Sequence, residues 1–393
     1  MDAEPMPRGS PMKVLLVGNY QFDGSTSMRI WAAALDRELN RVGVDAQLIA
    51  PRPVFGRLKP SPHGIGKWLG YIDRFAVFPR ELRAAAANAD IVHVCDHGGA
   101  MYASMIKGIP VLVTCHDMIA VRGARGELPE LRSSRFGQLL QRWICHGMRE
   151  ATRVACVSRA TFEDACRILG TDKNLRIVLN GLNHPFRPLA LGEVERRLAA
   201  LGAIHAPFVL HLGSNLAYKN REGVLRTFSK AAARTSLHLV IAGEALDQNL
   251  VRLARKLQIE DRLVQIVRPD VAVIEALYNH AVCLLFPSRY EGFGWPPIEA
   301  QACGCPVVAS DIPPFAETLG QSAVLKPVKD EAGMAAAVQR LTCDEEFREQ
   351  VRQSGFENVR ARFQTARMIG EYVTLYRELT HNCEELVAGA YKS

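Results

Sequence analysis

The sequence predicts an α/β protein of two facing Rossmann-like domains with a cleft between them. Three observations lead there. At 393 residues the chain exceeds what one ordinary core organises, so two domains of roughly 150–200 residues are the default. Short apolar runs alternate with helix-like stretches in two successive series, the pattern of βαβ units and parallel sheets. The runs are near-continuous rather than alternating in polarity, as suits strands covered on both faces.

The first series occupies residues 1–185, of which 1–11 read as a disordered leader. It opens with Lys13-Val-Leu-Leu-Val-Gly18, a buried strand closed by glycine. Gly24 and Ser25 then lie in a loop before a helix from Met28 to Val42, with Trp31, Leu35 and Leu39 on one face. Strands follow at Asp90–Val94, Val111–Cys115 and Arg153–Val157, and Ile177–Gly181 ends the series. Residues 186–206 read as the interdomain connection, with Pro188 inside it and Pro185 and Pro207 at its two ends.

The second series, 207–364, runs through strands at Phe208–Gly213, Leu237–Gly243, Leu263–Val267, Val282–Phe286 and Pro306–Ser310. A helical tail extends from Val338 to Val387 with breaks expected near Thr342 and Gly355. Its last part, 365–393, is expected to pack back on the first domain. In such a pair, ligands bind between the carboxyl ends of the two sets of strands.

Composition narrows the function classes. A chain 48% hydrophobic and 23% charged is that of a soluble globular protein. No apolar run approaches the roughly 18–20 residues that span a bilayer, and no hydrophobic signal core stands at the start. Ten cysteines lie scattered without paired CxxC motifs, which argues for buried, reduced thiols in a cytosolic protein rather than zinc or disulfides. The first 187 residues hold 25 Lys and Arg against 17 Asp and Glu, whereas the rest is near balance. A basic surface there suits an anionic membrane, a phosphorylated acceptor or nucleic acid, but no nucleic-acid motif accompanies it.

The segment Phe286-Pro-Ser-Arg-Tyr-Glu-Gly-Phe-Gly-Trp-Pro-Pro-Ile-Glu299 carries the chemistry. Gly292 and Gly294 let the backbone take strained angles and approach a ligand. Pro296 and Pro297 fit a first helical turn, whose free N–H groups and positive dipole end face the strand exit. With Glu291 and Glu299 on either side, this is an anion-ready backbone flanked by carboxylates. It fits a ligand with both phosphate and hydroxyl groups, a nucleotide sugar.

These residues, continued by Glu299-Ala-Gln-Ala-Cys-Gly-Cys-Pro-Val-Val-Ala-Ser-Asp311, resemble the paired-glutamate motif of retaining GT-B glycosyltransferases of family 4 (group 1), mannosyltransferases among them. The resemblance extends to Asn180-Gly181, Gly213–Asn220, Pro287-Ser288 and Glu317. It implies a GT-B fold, with Glu291 facing the donor sugar and Glu299 on the ribose hydroxyls. The N–H groups of Phe293 and Gly294 would then bind sugar or phosphate oxygens. Gly213-Ser-Asn-Leu-Ala-Tyr-Lys-Asn220 is similar to the family's phosphate turn, which makes Lys219 the cation on the leaving diphosphate and brings in Gly213 and Ser214. Tyr218 and Ser214 stand where the family usually has an arginine, and Arg221 is the candidate replacement. Thr114-Cys115-His116-Asp117 resembles the cleft histidine motif and assigns His116 to the reacting carbon, with Asp117 orienting the loop; His97 has weaker support. Gly24, in the loop after the first strand, joins the donor-binding set.

The resemblance implies hexose transfer from a UDP- or GDP-sugar to a hydroxyl of a glycan or lipid-linked acceptor, in surface polysaccharide assembly. It implies no cofactor beyond the donor, and with no Asp-x-Asp pair for a donor-bound cation, no metal. Two regions keep open readings. Arg122 and Arg125 belong either to the acceptor site or to a solvated loop. Trp68, Tyr71, Phe75 and Phe78, at helical spacing with Lys67 and Arg74 beside them, face either the core or a membrane surface, the latter placing the protein at the inner membrane face. The rival functions are a nucleotide-sugar epimerase or phosphorylase on the same fold, and a non-catalytic nucleotide-sugar-binding protein.

Overall fold

Aliphatic runs too short for helices, each closed by glycine or a polar turn, become the strands of two parallel sheets. The computed structural model describes residues 11–199, 207–233 and 235–390, with only the helical backbone for 381–390. The expected leader and the end of the interdomain connection therefore lie outside the described residues.

The strands are β1 Lys13–Val17, β2 Asp45–Ile49, β3 Ile91–Val94, β4 Val111–Cys115, β5 Arg153–Cys156, β6 Leu175–Ile177, β7 Phe208–Gly213, β8 His238–Gly243, β9 Leu263–Val267, β10 Cys283–Phe286, β11 Val307–Ser310 and β12 Val324–Lys326. The described residues form two sheets, ordered β2-β1-β3-β4-β5-β6 and β12-β11-β10-β7-β8-β9. All pairings are parallel, with Val14 opposite Ile91 in the first sheet and Leu284 opposite Leu210 in the second. Strand order reverses beside β1 and beside β7, and the crevice of a doubly wound sheet opens at that point.

β4, β7 and β9 keep their expected limits: Pro110 precedes β4, Gly213 closes β7, and Pro269 stands two residues past the end of β9. β2 and β12 were not expected. β2 carries Asp45 and Gln47 at a half-exposed edge, and β12 has only three residues, so neither shows an apolar run. The last strand of the first sheet ends at Ile177, and residues 178–181 lead out of the domain instead of continuing it.

Two expectations need correction. Residues 191–198 form a helix, not a bare connection, and Arg197 fastens it to the helix Val271–His280 through Glu275 Oε2 at 2.6 Å. Gly355 breaks nothing. It lies buried inside the helix Glu345–Arg362, where its missing side chain admits Gln301, whose Cγ would stand 3.1 Å from any added Cβ. One break falls at Asp344, near the expected Thr342, and the other not at Gly355 but at Phe363-Gln364, between the helices Glu331–Cys343, Glu345–Arg362 and Thr365–Ala390.

The helix Thr365–Ala390 crosses back to the first domain. Its Ile369, Tyr372, Tyr376 and Leu379 join Trp31, Leu35, Leu39 and Leu112 in one buried cluster. Polar groups inside that cluster are matched: His93 Nδ1 lies 2.7 Å from Tyr376 Oη, and its Nε2 lies 2.7 Å from Thr114 Oγ1. Burial pushes the His93 imidazole down to about 3, so it sits neutral between two hydroxyls.

Candidate functional site

Two loops leave the second sheet at its switch point, residues 214–220 after β7 and 287–294 after β10. Several bonds stitch them together. Asn220, in the left-handed region at φ +55°, caps the helix Arg221–Ala232 and donates from Nδ2 to the Pro287 carbonyl at 2.9 Å. The Arg289 N–H donates to the Tyr218 carbonyl at 2.7 Å. Lys219 Nζ meets Glu291 Oε1 at 2.6 Å. Both side chains are largely enclosed, and the ammonium stands 5.3 Å from the Phe286 ring centroid and 5.3 Å from that of Tyr218. Burial raises the Tyr218 phenol, and the carboxylates of Glu291 and Asp117 raise it further, so it stays a neutral hydroxyl.

The glycines between the two glutamates have separate reasons. A Cβ on Gly292 would stand 1.7 Å from the His116 carbonyl oxygen, so this residue is where the domains touch backbone to backbone. Gly294 takes φ +91° as the cap before the helix Trp295–Ala302, and a Cβ there would strike the Phe315 ring at 2.3 Å. Residues 296 and 297 are prolines, so the amides free at this helix start are those of Phe293, Gly294 and Trp295. Phe293 itself is buried, its ring packed on Trp295 and Phe363.

The first domain grips this loop. Ser158 Oγ donates to the Gly292 carbonyl at 2.6 Å and Thr161 Oγ1 donates to the same oxygen at 3.2 Å. The Arg159 N–H donates to Glu317 Oε2 at 2.8 Å, and Trp295 Nε1 donates to the Gly181 carbonyl at 3.2 Å. Arg122 lies over the Tyr290 ring at 5.5 Å and also pairs with Asp164 at 3.0 Å, while Arg125 pairs with Glu127.

His116 leaves β4 directly opposite Gly292. Its Nε2–H donates to the Cys95 carbonyl at 2.9 Å, and its ring packs between Trp31 and Trp295 at 4.8 and 5.6 Å. Burial lowers its affinity for a proton, against the pull of Asp96, so the neutral ring presents a lone pair at Nδ1. That atom is buried and has no partner among the described residues. Asp117 Oδ1 accepts from the Ile119 N–H at 2.8 Å and so fixes the turn after His116. Below lies Asp96, which accepts from Asn19 Nδ2 and the Gly98 N–H, with His97 Nδ1 3.1 Å from its Oδ1. Burial alone would raise this carboxyl, but the hydrogen bond and charge of His97 hold it well below the usual range.

The remaining expected residues divide. Gly213 and Ser214 form the start of the phosphate-type turn, half-buried beside Lys219. Arg221, expected as a second cation facing the diphosphate, is 3% exposed and turned inward. Its guanidinium donates to the carbonyls of Gly213 and Glu244 and to Asn215 Oδ1, bracing the turn from behind. Glu299 is likewise apart from the Lys219–Glu291 pair: Tyr278 Oη donates to its Oε2 at 3.1 Å. Burial raises its carboxyl to about 7, against hydrogen bonds from Tyr278 and Asn183. Gly24 turns the loop after β1 at φ +81°, and no bond between the two loops involves it.

Sequence reasoning missed Ser158, Tyr278 and His211. His211, fully buried on β7, uses its Nδ1–H toward the Leu285 carbonyl at 3.0 Å, and its unpartnered Nε2 lies under Gly213. Burial takes this ring down to about 3. A histidine two residues before the closing glycine of an otherwise apolar strand was the available signal. A cleft of about 340 Å³ lies on the first domain at the ends of β1 and β2, its walls including Asn19, Gln21, Arg29 and Arg52.

Comparison with known proteins identifies the family and the fold. Residues 203–358 match the family model of glycosyl transferases group 1, and residues 30–185 match that of glycosyltransferase family 4. The chain is 24% identical over 307 residues to N-acetyl-alpha-D-glucosaminyl L-malate synthase of Bacillus anthracis, covering 75% of this chain and 76% of that one. It is 30% identical over 136 residues to the O-antigen chain mannosyltransferase RfbU of Salmonella typhimurium, covering 34% of this chain and 38% of the other. Sucrose-phosphate synthase from Thermosynechococcus elongatus superposes with a TM-score of 0.77 at 18% identity, over 94% of this chain and 100% of that one. Anabaena HepE in complex with UDP-glucose superposes with a TM-score of 0.70 at 17% identity, over 92% and 99%. The two family models together take in most of both domains, and the chain belongs to the group 1 glycosyltransferases of the GT-B fold.

Proposed function

We propose that the enzyme moves a hexose from a UDP- or GDP-sugar to a hydroxyl of a glycan or lipid-linked acceptor, with retention of configuration. GDP-mannose is the favoured donor, in keeping with the similarity to an O-antigen mannosyltransferase. The observation that carries the reading is the Lys219–Glu291 pair, held at a helix start and facing His116 across the domain contact.

In this reading the donor diphosphate competes for Lys219 and for the free amides of Phe293, Gly294 and Trp295. Glu291, released from its ion pair, then accepts hydroxyl protons of the sugar, and Nδ1 of His116 accepts another. Gly213, Ser214 and the lone pair of His211 shape the phosphate turn. Glu299 is assigned to the ribose, which requires Tyr278 to yield it. As the bond from sugar to phosphate breaks, Lys219 stabilises the growing charge, the electrostatic role that dominates such reactions. The acceptor oxygen attacks the same face, and its proton passes to the departing phosphate. No cofactor or metal enters this scheme. The acceptor takes the first-domain cleft, and surface polysaccharide assembly at the cytoplasmic face of a membrane is the setting proposed.

Thermal unfolding in the presence of UDP, GDP and ADP tests it. A nucleotide at about 100 times its Kd raises stability by roughly 2.7 kcal/mol. The expected result is a shift with UDP or GDP and donor breakdown only when acceptor is present. No shift with any nucleotide would remove the donor site, and breakdown without acceptor would favour the epimerase.

A further inference from the structure

Eight of the thirteen large hydrophobic side chains exposed among the described residues fall in two short segments of the first domain, 54–72 and 136–139. Ile65, Trp68 and Ile72 are 64, 54 and 43% exposed and repeat at the spacing of one face of the helix Gly64–Ile72. Phe136 and Leu139 share a face of the helix Arg135–Glu150 in the same way. The two faces meet, with the Trp68 and Phe136 rings 4.8 Å apart. A contiguous apolar surface of this kind marks an interaction site, unlike hydrophobic residues scattered singly.

The surface is held rigidly. Asp73 is buried and accepts from the Phe55 N–H at 2.9 Å, the Gly56 N–H at 2.9 Å and Tyr20 Oη at 2.8 Å. Gly70 rests on the Tyr20 ring and Gly66 on the Lys59 carbonyl, where side chains would collide. The aromatic stripe expected from sequence is divided by this packing: Phe78 enters the core, whereas Trp68 stays outside with the two isoleucines.

The rim has one sign. Residues 52–80 and 132–142 contain nine Lys and Arg and a single carboxylate, the buried Asp73. Neighbouring Glu81 is engaged by Arg52 at 3.3 Å. A basic border around exposed Trp and Ile is the chemistry of an interfacial helix on anionic lipid. No helix among the described residues is long and apolar enough to cross a membrane.

We propose that this face docks on an anionic bilayer surface, with Ile65, Trp68, Ile72 and Leu139 entering the boundary between headgroups and acyl chains. Lys67, Arg135 and Arg142 then lie among the lipid phosphates. Pro51, Arg52 and Pro53 line the first-domain cleft and run straight into Val54 and Phe55, so cleft and bilayer adjoin. The docking surface itself stands on exposure and charge. It rests on the transfer reading only in making that cleft the acceptor's.

The full-length chain is sedimented with vesicles of phosphatidylcholine, with and without phosphatidylglycerol. Binding is expected only with phosphatidylglycerol, and weaker in high salt. Ile65→Ser, Trp68→Ser and Leu139→Ser combined should reduce it at least ten-fold while lowering the melting temperature only slightly, since more than half of each side chain is already in water. Lys67→Glu with Arg135→Glu should cost roughly five-fold per charge removed. Binding to neither vesicle, or equal binding by the triple serine variant, overturns the proposal. So does a wild-type dimer in light scattering that the serines dissociate, which makes the face a protein interface. Nucleotide titration of the same samples separates the two readings: vesicle binding without nucleotide binding keeps the docking surface and rejects the transferase donor site.

Discussion

Lys219 Nζ lies 2.6 Å from Glu291 Oε1, joining loops 72 residues apart at the open end of the second sheet. Each residue neutralises the other until a ligand takes over one of them. Replacing Lys219 by alanine should lower kcat by about 10²–10³, the loss typical when one group on a developing negative charge is removed. It should also weaken binding of the nucleoside diphosphate. Glu291→Gln should lower kcat similarly but leave nucleotide affinity nearly intact, because its role is on the sugar. Acceptor-dependent release of diphosphate and calorimetry check both. Full turnover in either variant would take the pair out of the chemistry.

Gly292 offers a test of the domain contact. An alanine Cβ would stand 1.7 Å from the His116 carbonyl, backbone against backbone, so only separation of the domains relieves the clash. A displacement of that order at a reacting centre costs about 10²-fold in rate. Gly292→Ala should therefore lower kcat/KM by at least that factor, and lower the melting temperature as well. Gly108→Ala is the control: its φ of +76° disfavours a side chain, by about 1–2 kcal/mol, but the space around it is open. Equal effects of the two substitutions would mean that the close approach of Gly292 to His116 does not matter.

Glu299 predicts an unusual pH dependence. Burial, opposed by Tyr278 and Asn183, raises its folded-state carboxyl from 4.5 to about 7. Between those values the folded state binds more protons than the unfolded, so this group makes the protein less stable as pH rises from 4.5 to 7. The loss amounts to at most about 3 kcal/mol. His93 and His211, both depressed from 6.5 to about 3, have the opposite sign and lose stability as pH falls from 6.5 toward 3. Glu299→Gln should thus stabilise the protein at pH 8 and leave it unchanged below pH 4.5. Urea midpoints at the two ends decide; a variant less stable at pH 8 would mean that the charged carboxylate is matched after all.

The strands around the site were readable because parallel strands covered on both faces need unbroken apolar runs, as in Val111–Cys115 and Cys283–Phe286. The Glu291–Glu299 turn was readable because its glycines and prolines suit few other places. What escaped was what depends on distant partners. Nothing near Arg221 announces that its guanidinium turns toward the Gly213 and Glu244 carbonyls. Nothing near Ser158 says that its hydroxyl reaches Gly292, 134 residues away. Gly355 looked like a helix break because its reason for being glycine, contact with Gln301, belongs to another helix.

The tail helix shows the same dependence and gives the last prediction. Tyr372 and Tyr376 are fully buried in the core of the first domain although they follow the second in sequence. Tyr376→Phe leaves Nδ1 of His93 without its 2.7 Å partner, and an unmatched buried group costs about 1–3 kcal/mol. Tyr372→Phe removes the 3.0 Å contact with Thr114 Oγ1, which itself holds Nε2 of His93. Because one hydrogen-bonded chain links all four side chains, the double variant should lose less than the two single losses added together. Urea unfolding of the three variants measures it; strict additivity would mean that the two hydroxyls act independently, and no loss in any variant that the tyrosines act only as apolar filling. Neither substitution touches Lys219 or Glu291, so nucleotide binding at 25 °C should be that of the native enzyme in all three.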